Sequence, residues 1–275
     1  MSNSFLFSEI RSYSSWTETL SSEELVGSLD NYFEEMVDAV FKYGGTLNKY
    51  IGDSLMGMFG FPEPLKEDAW CAMQAAVEMR NRLATFNEKQ EAKRKMPVSM
   101  GIGIHSNEVL SGNIGSSKHM DLTFVGDAFS FAASLGEMSR KYGTDLVISE
   151  NTYRPYKDRL WVRELDLTAV KGKTESVRIY ELVGIRKGPL RQRLKKKQQD
   201  IIGHYHKGRE YYLRPSIEKL NADGVRESFE LAEKEFKAVL KVDPENKAAK
   251  LHIGRCLLFQ QELPEPDWDG AWRWI

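Results

Sequence analysis

Two short strand-like runs joined by only two residues limit the possible folds of this chain more than any other feature. The runs are Thr46–Ile51 and Ser54–Phe59, and Gly52-Asp53 connects them. A two-residue connection that contains glycine is typical of a tight β-hairpin, because glycine tolerates the positive φ that such turns require. The sequence therefore predicts a hairpin with Asp53 at its tip.

Helical patterns precede and follow this hairpin. Ser21 and Glu24 match a capping box at the start of an apolar repeat with three- and four-residue steps. A second, longer pattern extends over about residues 66–92. Helices and strand-like segments mix without strict alternation, which predicts an α+β domain over about residues 1–185.

Glycines interrupt the two strand-like segments that come next. Gly101, Gly103 and Gly112 lie within residues 98–114. Glycine inside a strand often marks a place where another part of the molecule approaches the backbone closely. We therefore expect a neighbouring group to pack tightly against these strands.

Composition excludes several classes of protein. The chain has 275 residues, of which 41% are hydrophobic and 29% charged, and its formal net charge is −1. This balance is typical of a soluble globular protein and indicates no nucleic-acid partner and no membrane contact. No apolar run approaches the ~18 to 20 residues that cross a bilayer, and the two cysteines are too few for a disulfide framework. We expect a cytoplasmic protein, with the cytoplasmic part of a longer membrane receptor as the alternative.

The sequence turns basic and then helical after the predicted domain. Residues 186–197 (RKGPLRQRLKKK) favour a solvated linker or helix face over a nucleic-acid arm, because no aromatic residues interleave with the charges. Two later helical patterns, broken by Asp243-Pro244, resemble a tetratricopeptide-type hairpin. We expect a basic linker over 186–200 and a small α-helical tail over 201–275. A lone repeat is usually a packing appendage, and binding of a protein partner is the alternative role.

Two carboxylates, Glu9 at the end of the first predicted strand and Asp53 at the hairpin tip, would lie side by side if those strands were neighbours. Paired carboxylates at strand ends suit Mg²⁺, a hard cation that shares its oxygen ligands with substrate phosphates. The segment that contains Ser12, Tyr13 and Ser14 is predicted as a loop that offers N–H groups and hydroxyls to phosphates. Solvated or capping carboxylates are the alternative interpretation.

Five segments resemble, in order, the motifs of the class III adenylyl and guanylyl cyclase catalytic domains. They are FLFSEIRSYSS, TLNKYIGDSLMGMFG, GIGIHSNEVLSGNIGS, LTFVGDAFSFAASLGEMSRKYG and VKGKTESVRIYEL, within about residues 4–183. The resemblance implies a palm-type, ferredoxin-like sheet with flanking helices. It also implies a metal site in which Glu9 and Asp53 match two metal-binding aspartates and the main-chain carbonyl of Ile10 is a further ligand. The metal would be Mg²⁺, or Mn²⁺ or Ca²⁺.

The same resemblance implies a nucleotide site. Lys49 and Thr123 match the base-selecting positions in a form that implies ATP rather than GTP, and Lys171 matches a triphosphate contact. In the family these groups meet the metal carboxylates of a second chain, so the resemblance implies a homodimer. His105 falls in a strand motif and is expected to be structural.

Departures from the family pattern affect the predicted chemistry. Glu9 replaces an aspartate, Ser12 replaces a glycine, and Ser130 and Ser134 stand where the family has the asparagine and arginine that act on the reacting phosphate. Loss of one preorganised donor to transition-state charge costs on the order of 10²–10³ in rate. We therefore expect an ATP-binding homodimer with weak or absent cyclase activity and a regulatory role in nucleotide signalling. An active adenylyl cyclase that converts ATP to cAMP and pyrophosphate is one alternative, and a scaffold that no longer binds nucleotide is another.

Overall fold

The structure is a computed structural model that describes residues 2–18, 20–116, 119–125, 127–169 and 176–273. For residues 2, 110–116, 119–125 and 169 it describes the backbone alone. The chain divides into two compact units. The first consists of Met1–Ser139 and Asp145–Lys157, and the second of Arg140–Thr144 and Asp158–Ile275.

Strands and helices mix in the first unit. In chain order it contains β1 (Ser2–Arg11), α1 (Tyr13–Thr17), α2 (Ser22–Lys42), β2 (Thr46–Ile51), β3 (Ser54–Phe59), α3 (Asp68–Ala92), β4 (Ser99–Glu108), β5 (Leu110–Ser116), β6 (His119–Val125), most of α4 (Ala128–Tyr142), β7 (Leu146–Ser149) and α5 (Glu150–Tyr153). Five of these strands follow the order β2-β3-β1-β4-β7 in the sheet, with β1 antiparallel to both neighbours and β7 parallel to β4. This arrangement confirms the predicted α+β class.

The predicted hairpin and helix start are both present. Strands β2 and β3 pair antiparallel across Gly52-Asp53, and Gly52 has a φ of 60°. At the start of α2, Ser21 Oγ accepts from the N–H of Glu24 at 3.3 Å, and Glu24 Oε2 accepts from the N–H of Ser21 at 3.2 Å. These features depend on local sequence, which explains why the pattern predicts them.

The segment after Glu9 differs from the predicted loop. Strand β1 continues to Arg11, whose partner in β4 is Ser99, and the short helix α1 follows. The reason is the length of β4, because a central strand extends as far as its neighbour provides hydrogen-bonding partners.

Helix α4 packs against β4 at the glycines that the sequence singled out. A Cβ atom on Gly103 would lie 2.0 Å from the carbonyl oxygen of Ala132 and 2.5 Å from the backbone nitrogen of Gly136. A Cβ on Gly101 would lie 2.7 Å from the hydroxyl of Ser139. The close neighbour expected at Gly101 and Gly103 is therefore helix α4, and the expectation at Gly112 of β5 stays a prediction.

The second unit joins two strands with three helices. A 3₁₀ segment (Arg154–Arg159) leads to β8 (Leu160–Ala169), β9 (Ser176–Ile185), α6 (Lys196–Ile217), α7 (Ala222–Val242) and α8 (Lys247–Gln261). Strands β8 and β9 are antiparallel. Helices α7 and α8 also run antiparallel, because Phe229 meets Phe259 (ring centroids 5.0 Å apart) and Phe236 meets His252 (4.9 Å). The tetratricopeptide assignment and the domain bounds 1–185, 186–200 and 201–275 stay predictions.

A fully buried carboxylate links β8 to the helices of this unit. Asp166 on β8 accepts from Arg255 of α8 at 2.6 Å and from the Tyr142 hydroxyl at 2.5 Å, and Arg209 of α6 lies 3.3 Å away. Burial raises the pKa of Asp166, but the surrounding groups, with Arg209 and Arg255 the strongest of them, together lower it overall. Removal of one partner from such a cluster leaves an uncompensated buried charge, so these contacts fix the helices on the strand.

None of the helices within the described ranges combines the length and apolar character needed to cross a bilayer.

Candidate functional site

The end of β1 and the β2–β3 hairpin tip lie side by side. Glu9 is the register partner of Ser54, and the N–H of Ile10 donates to the carbonyl of Asp53 at 3.3 Å. This hydrogen bond continues the β1–β3 register by one residue into the turn. The backbone thus brings the two carboxylate residues to neighbouring positions at one end of the sheet.

The oxygen groups at this end fit a hard divalent cation. In an antiparallel ladder the N–H and the carbonyl of one residue point towards the same neighbouring strand, so the Ile10 carbonyl faces the hairpin tip. Two carboxylates and a carbonyl are ligands that Mg²⁺ and Mn²⁺ accept. Among the described residues no group of three or more His, Cys, Asp and Glu side chains is placed to hold a metal. A metal here would therefore complete its coordination with main-chain, substrate or water oxygens.

Side-chain alternation assigns Glu9 to the α4 face of the sheet. Glu9 shares its face with Phe5, and Phe5 packs edge-on against Phe129 of α4 with ring centroids 4.5 Å apart. Asp53 lies in the turn, where this alternation does not apply. Burial, as the largest cause, raises the pKa of Tyr32 on α2, and the Asp53 carboxylate acts in the same direction.

Ser130 and Ser134 lie on the side of α4 that faces away from the sheet. The turn of α4 that contacts β4 carries Ala132 and Gly136, whereas Ser130 is exposed and Ser134 is half-buried. The Ser134 hydroxyl donates to the carbonyl of Ser130 at 3.0 Å. The hydroxyl, which is the one side-chain donor of Ser134, is therefore bonded to the backbone of its own helix.

Lys49 lies on the same face of the sheet as Glu9. It is the register partner of Met56, which is in turn the partner of Phe7 on β1, and directly opposed residues share a face. Its side chain is exposed. The base-selecting candidate is thus available to a ligand on the α4 side of the sheet.

The remaining nucleotide candidates are placed only in part. Thr123 lies in β6 opposite Gly112 of β5, and its side chain lies outside the described residues. Lys171 lies outside them altogether. The structure therefore shows the strand position of Thr123 and leaves Lys171 as an expectation.

The predicted phosphate-binding segment forms the start of helix α1. Ser12 is the N-cap, with φ 57° and ψ 33° and no side-chain capping bond, and Tyr13 and Ser14 form the first turn. The left-handed conformation costs a non-glycine residue roughly 1 to 2 kcal/mol. The glycine that Ser12 replaces in the family pattern would adopt this conformation without that cost.

His105 belongs to a buried hydrogen-bond chain. Its Nδ1 lies 2.9 Å from the Ser149 hydroxyl, which leads through Thr152 (3.1 Å) and Ser106 (3.0 Å) to Ser4 (2.7 Å). Ser4 in turn donates to Asp68 at 2.9 Å. This network agrees with the structural role expected for His105.

A contact that sequence patterns did not indicate holds α4 against β1. The Arg11 guanidinium donates to the Ser139 hydroxyl at 2.6 Å, over a separation of 128 residues in sequence. Arg11 directly follows Ile10, so this bond ties the segment with the candidate metal ligands Glu9 and Ile10 to the helix that carries Ser130 and Ser134. In the sequence, the only sign of this contact was the presence of Arg11 in the first cyclase-like motif.

The sequence matches the family model of the adenylate and guanylate cyclase catalytic domain over residues 2–184. The chain belongs to this family. The adenylate cyclase of Anabaena cylindrica is 34% identical to the cyclase-family chain over 184 residues, which are 64% of this chain and 36% of that protein. The chain spans 36% of the length of that protein and 27% of the length of adenylate cyclase 1 of Rhizobium meliloti.

Solved cyclase structures share the fold. The adenylyl cyclase CyaB from P. aeruginosa superposes with a TM-score of 0.62 at 29% identity, covering 70% of this chain and 97% of that chain. The guanylyl cyclase Cya2 superposes with a TM-score of 0.60 at 30% identity, covering 71% and 98%. The predicted class III cyclase fold is confirmed, and because both structures match equally well, the fold does not distinguish an adenine from a guanine substrate.

Proposed function

We propose that this cyclase-family chain binds ATP together with a divalent metal ion at a homodimer interface and that its own cyclase activity is weak or absent. Its role would then be regulatory, as a nucleotide-responsive module in signalling. The observation that carries the proposal is a hydrogen bond within α4, in which the Ser134 hydroxyl donates to the Ser130 carbonyl at 3.0 Å. A short side chain bonded to its own helix provides no cation to charge that develops on a reacting phosphate.

The residues expected to bind the metal and the nucleotide support retained affinity for ATP. Glu9, Asp53 and the Ile10 carbonyl would hold the metal, which when bound supplies positive charge to the nucleotide phosphates. Lys49 and Thr123 are the expected base contacts, and Lys171 the expected phosphate contact. These are interactions with the ground state as well as the transition state, so they maintain binding without restoring rate.

Exposure of the candidate groups favours a shared site. Lys49 and Ser130 are exposed, and Ser134 is only half-buried, although all three belong to the nucleotide site expected from the family pattern. Exposed groups of this kind leave room for a second surface at the site. A second copy of the chain, placed so that its carboxylates meet these groups, is the arrangement that we propose.

An active adenylyl cyclase is the second candidate. It is favoured by the Ile10–Asp53 hydrogen bond, which keeps Glu9 and Asp53 adjacent although Glu9 is one methylene longer than the family aspartate. In that case another group would have to stabilise the transition state in place of the missing arginine.

Calorimetric titrations with ATP and GTP in Mg²⁺, Mn²⁺ or Ca²⁺, together with a cAMP assay on the same sample, test the proposal. We expect tighter binding of ATP than of GTP, a requirement for metal, and little or no cAMP. Sedimentation in the presence of ATP should show a dimer. Equal affinity for the two nucleotides would refute the assignment of Lys49 and Thr123, and a strict monomer with nucleotide bound would refute the shared site.

A further inference from the structure

A basic cavity lies in the second unit, among residues that the proposed nucleotide site does not use. Its volume is about 740 Å³, and it is lined by Trp161 and by residues of the 186–199 segment. None of the described residues that line it is acidic. Four are cationic, and we call the group they form the basic cradle: Arg186, Lys187, Arg191 and Arg193.

Hydrogen bonds fix the backbone of the basic cradle. The N–H of Gln192 donates to the Ile185 carbonyl at 2.8 Å, and the N–H of Arg191 donates to the Gly188 carbonyl at 3.1 Å. Trp161 Nε1 donates to the Gln192 carbonyl at 3.3 Å. The four cations are exposed, as expected for a solvated segment, and these hydrogen bonds hold the loop backbone that carries them.

The positive charge of this loop is not neutralised within the part of the chain that the structure describes. The nearest ion pair along the chain joins Lys196 to Asp200 at 2.8 Å, outside the cradle. Arg186 stacks on Trp161, with its Cζ 4.3 Å from the ring centroid. Stacking orients the guanidinium without removing its charge. Like charges held on one folded loop repel each other, so a bound anion would relieve that repulsion.

We propose that the basic cradle binds a multiply phosphorylated anion. Arginine presents paired N–H donors that match phosphate oxygens, and four cations suit several phosphate charges better than one carboxylate. The N-terminus of α6, at Lys196, adds a partial positive charge beside the loop. Among the described lining residues the one aromatic ring, Trp161, is already stacked on Arg186, so the cavity offers no platform for nucleic-acid bases.

Titration of inorganic tripolyphosphate into the full chain in EDTA tests this site. EDTA removes the metal that the proposed ATP site requires, so the two sites are measured separately. We expect saturable binding that weakens between about 50 and 200 mM salt. Arg191→Gln with Arg193→Gln should weaken it about tenfold or more, because two charge-assisted hydrogen bonds are lost. Lys234→Gln with Lys241→Gln, exposed lysines on α7 with the same change in charge, should leave the affinity within about twofold.

A competition experiment distinguishes a free phosphate ligand from a lipid headgroup. Phosphatidylcholine vesicles with about 5% phosphatidylinositol 4,5-bisphosphate are added as competitors. Competition that depends on Arg191 and Arg193 identifies a headgroup source, and its absence identifies a free oligophosphate. Equal tripolyphosphate binding by the cradle variant and the α7 control would overturn the proposal. Tighter, cradle-dependent binding of a single-stranded oligonucleotide than of tripolyphosphate would also overturn it.

Discussion

The main-chain N–H of Ile10 donates to the main-chain carbonyl of Asp53 across 3.3 Å. This hydrogen bond joins the end of the central strand β1 to the β2–β3 turn. The candidate metal ligands Glu9 and Asp53, which are distant in sequence, therefore lie at the same end of the sheet. Helix α4, which carries Ser130 and Ser134, is attached to the same strand by the Arg11–Ser139 contact. The candidate metal-binding residues and the two α4 serines thus lie on elements that these two hydrogen bonds connect.

Asp53→Ala should weaken binding of ATP in Mg²⁺ or Mn²⁺ by at least about tenfold, because it removes one of two carboxylates at the proposed metal site. Calorimetry in each metal and in EDTA measures the effect. Asp30→Ala, at an exposed position on α2, is the matched control and should bind like the parent. If both variants kept the parental affinity, the metal site would have to be placed elsewhere.

Gly103→Ala should destabilise the fold by about 3 kcal/mol, because the new Cβ would lie 2.0 Å from the Ala132 carbonyl oxygen. The clash is with backbone, so it forces α4 away from β4. Gly254→Ala in α8, where nothing lies within 4 Å of an added Cβ, should instead stabilise by about 0.5–1 kcal/mol. Urea denaturation measures both, and a neutral Gly103→Ala would contradict the close packing of α4.

His252→Gln should reduce the loss of stability at acidic pH. Burial, as the largest cause, holds the pKa of His252 well below its usual 6.5, and its Nε2 lies 2.9 Å from the Leu165 carbonyl. The unfolded chain therefore takes up a proton near pH 6.5 that the folded chain does not. Stability falls as the pH drops below that value, by up to ~1.4 kcal/mol per pH unit for one proton.

Denaturation from pH 7.5 down to pH 5 measures this slope. Glutamine keeps a donor for Leu165 but does not titrate, so the slope should decrease by about one proton. His206, whose pKa burial also lowers, contributes in the same direction and stays in the variant. His204→Gln, at a side chain that is 44% exposed, serves as the control. An unchanged slope in His252→Gln would contradict a neutral buried His252.

Local signals predicted the parts of the fold that local geometry determines. The Gly52-Asp53 turn and the Ser21–Glu24 capping box involve residues within a few positions of each other, so the sequence alone contains their cause. Gly103 signalled a close neighbour, but the identity of that neighbour required the fold. The extension of β1 to Arg11 was missed because it depends on pairing with β4, about ninety residues away.

Side-chain clusters between residues distant in sequence could not be predicted from sequence patterns. Asp166 meets Tyr142 and Arg255 over separations of 24 and 89 residues, and neither spacing corresponds to a helix or strand period. The cradle cations were visible as a basic run, but only the structure shows that they line a cavity with Trp161. At the candidate site, family resemblance named the residues, and the structure supplied the backbone contact between Ile10 and Asp53.

The most direct test of weakened chemistry on a retained binding site compares cAMP formation by the parent and by the triple variant Glu9→Asp, Ser130→Asn, Ser134→Arg. Ser130 and Ser134 are four residues apart on α4 and share a face, so the new side chains extend to the same side. With ATP affinity measured on the same samples, we predict a rise in kcat on the order of 10² or more and little change in affinity. A triple variant that folds, dimerises and binds ATP but makes no more cAMP than the parent would contradict the account.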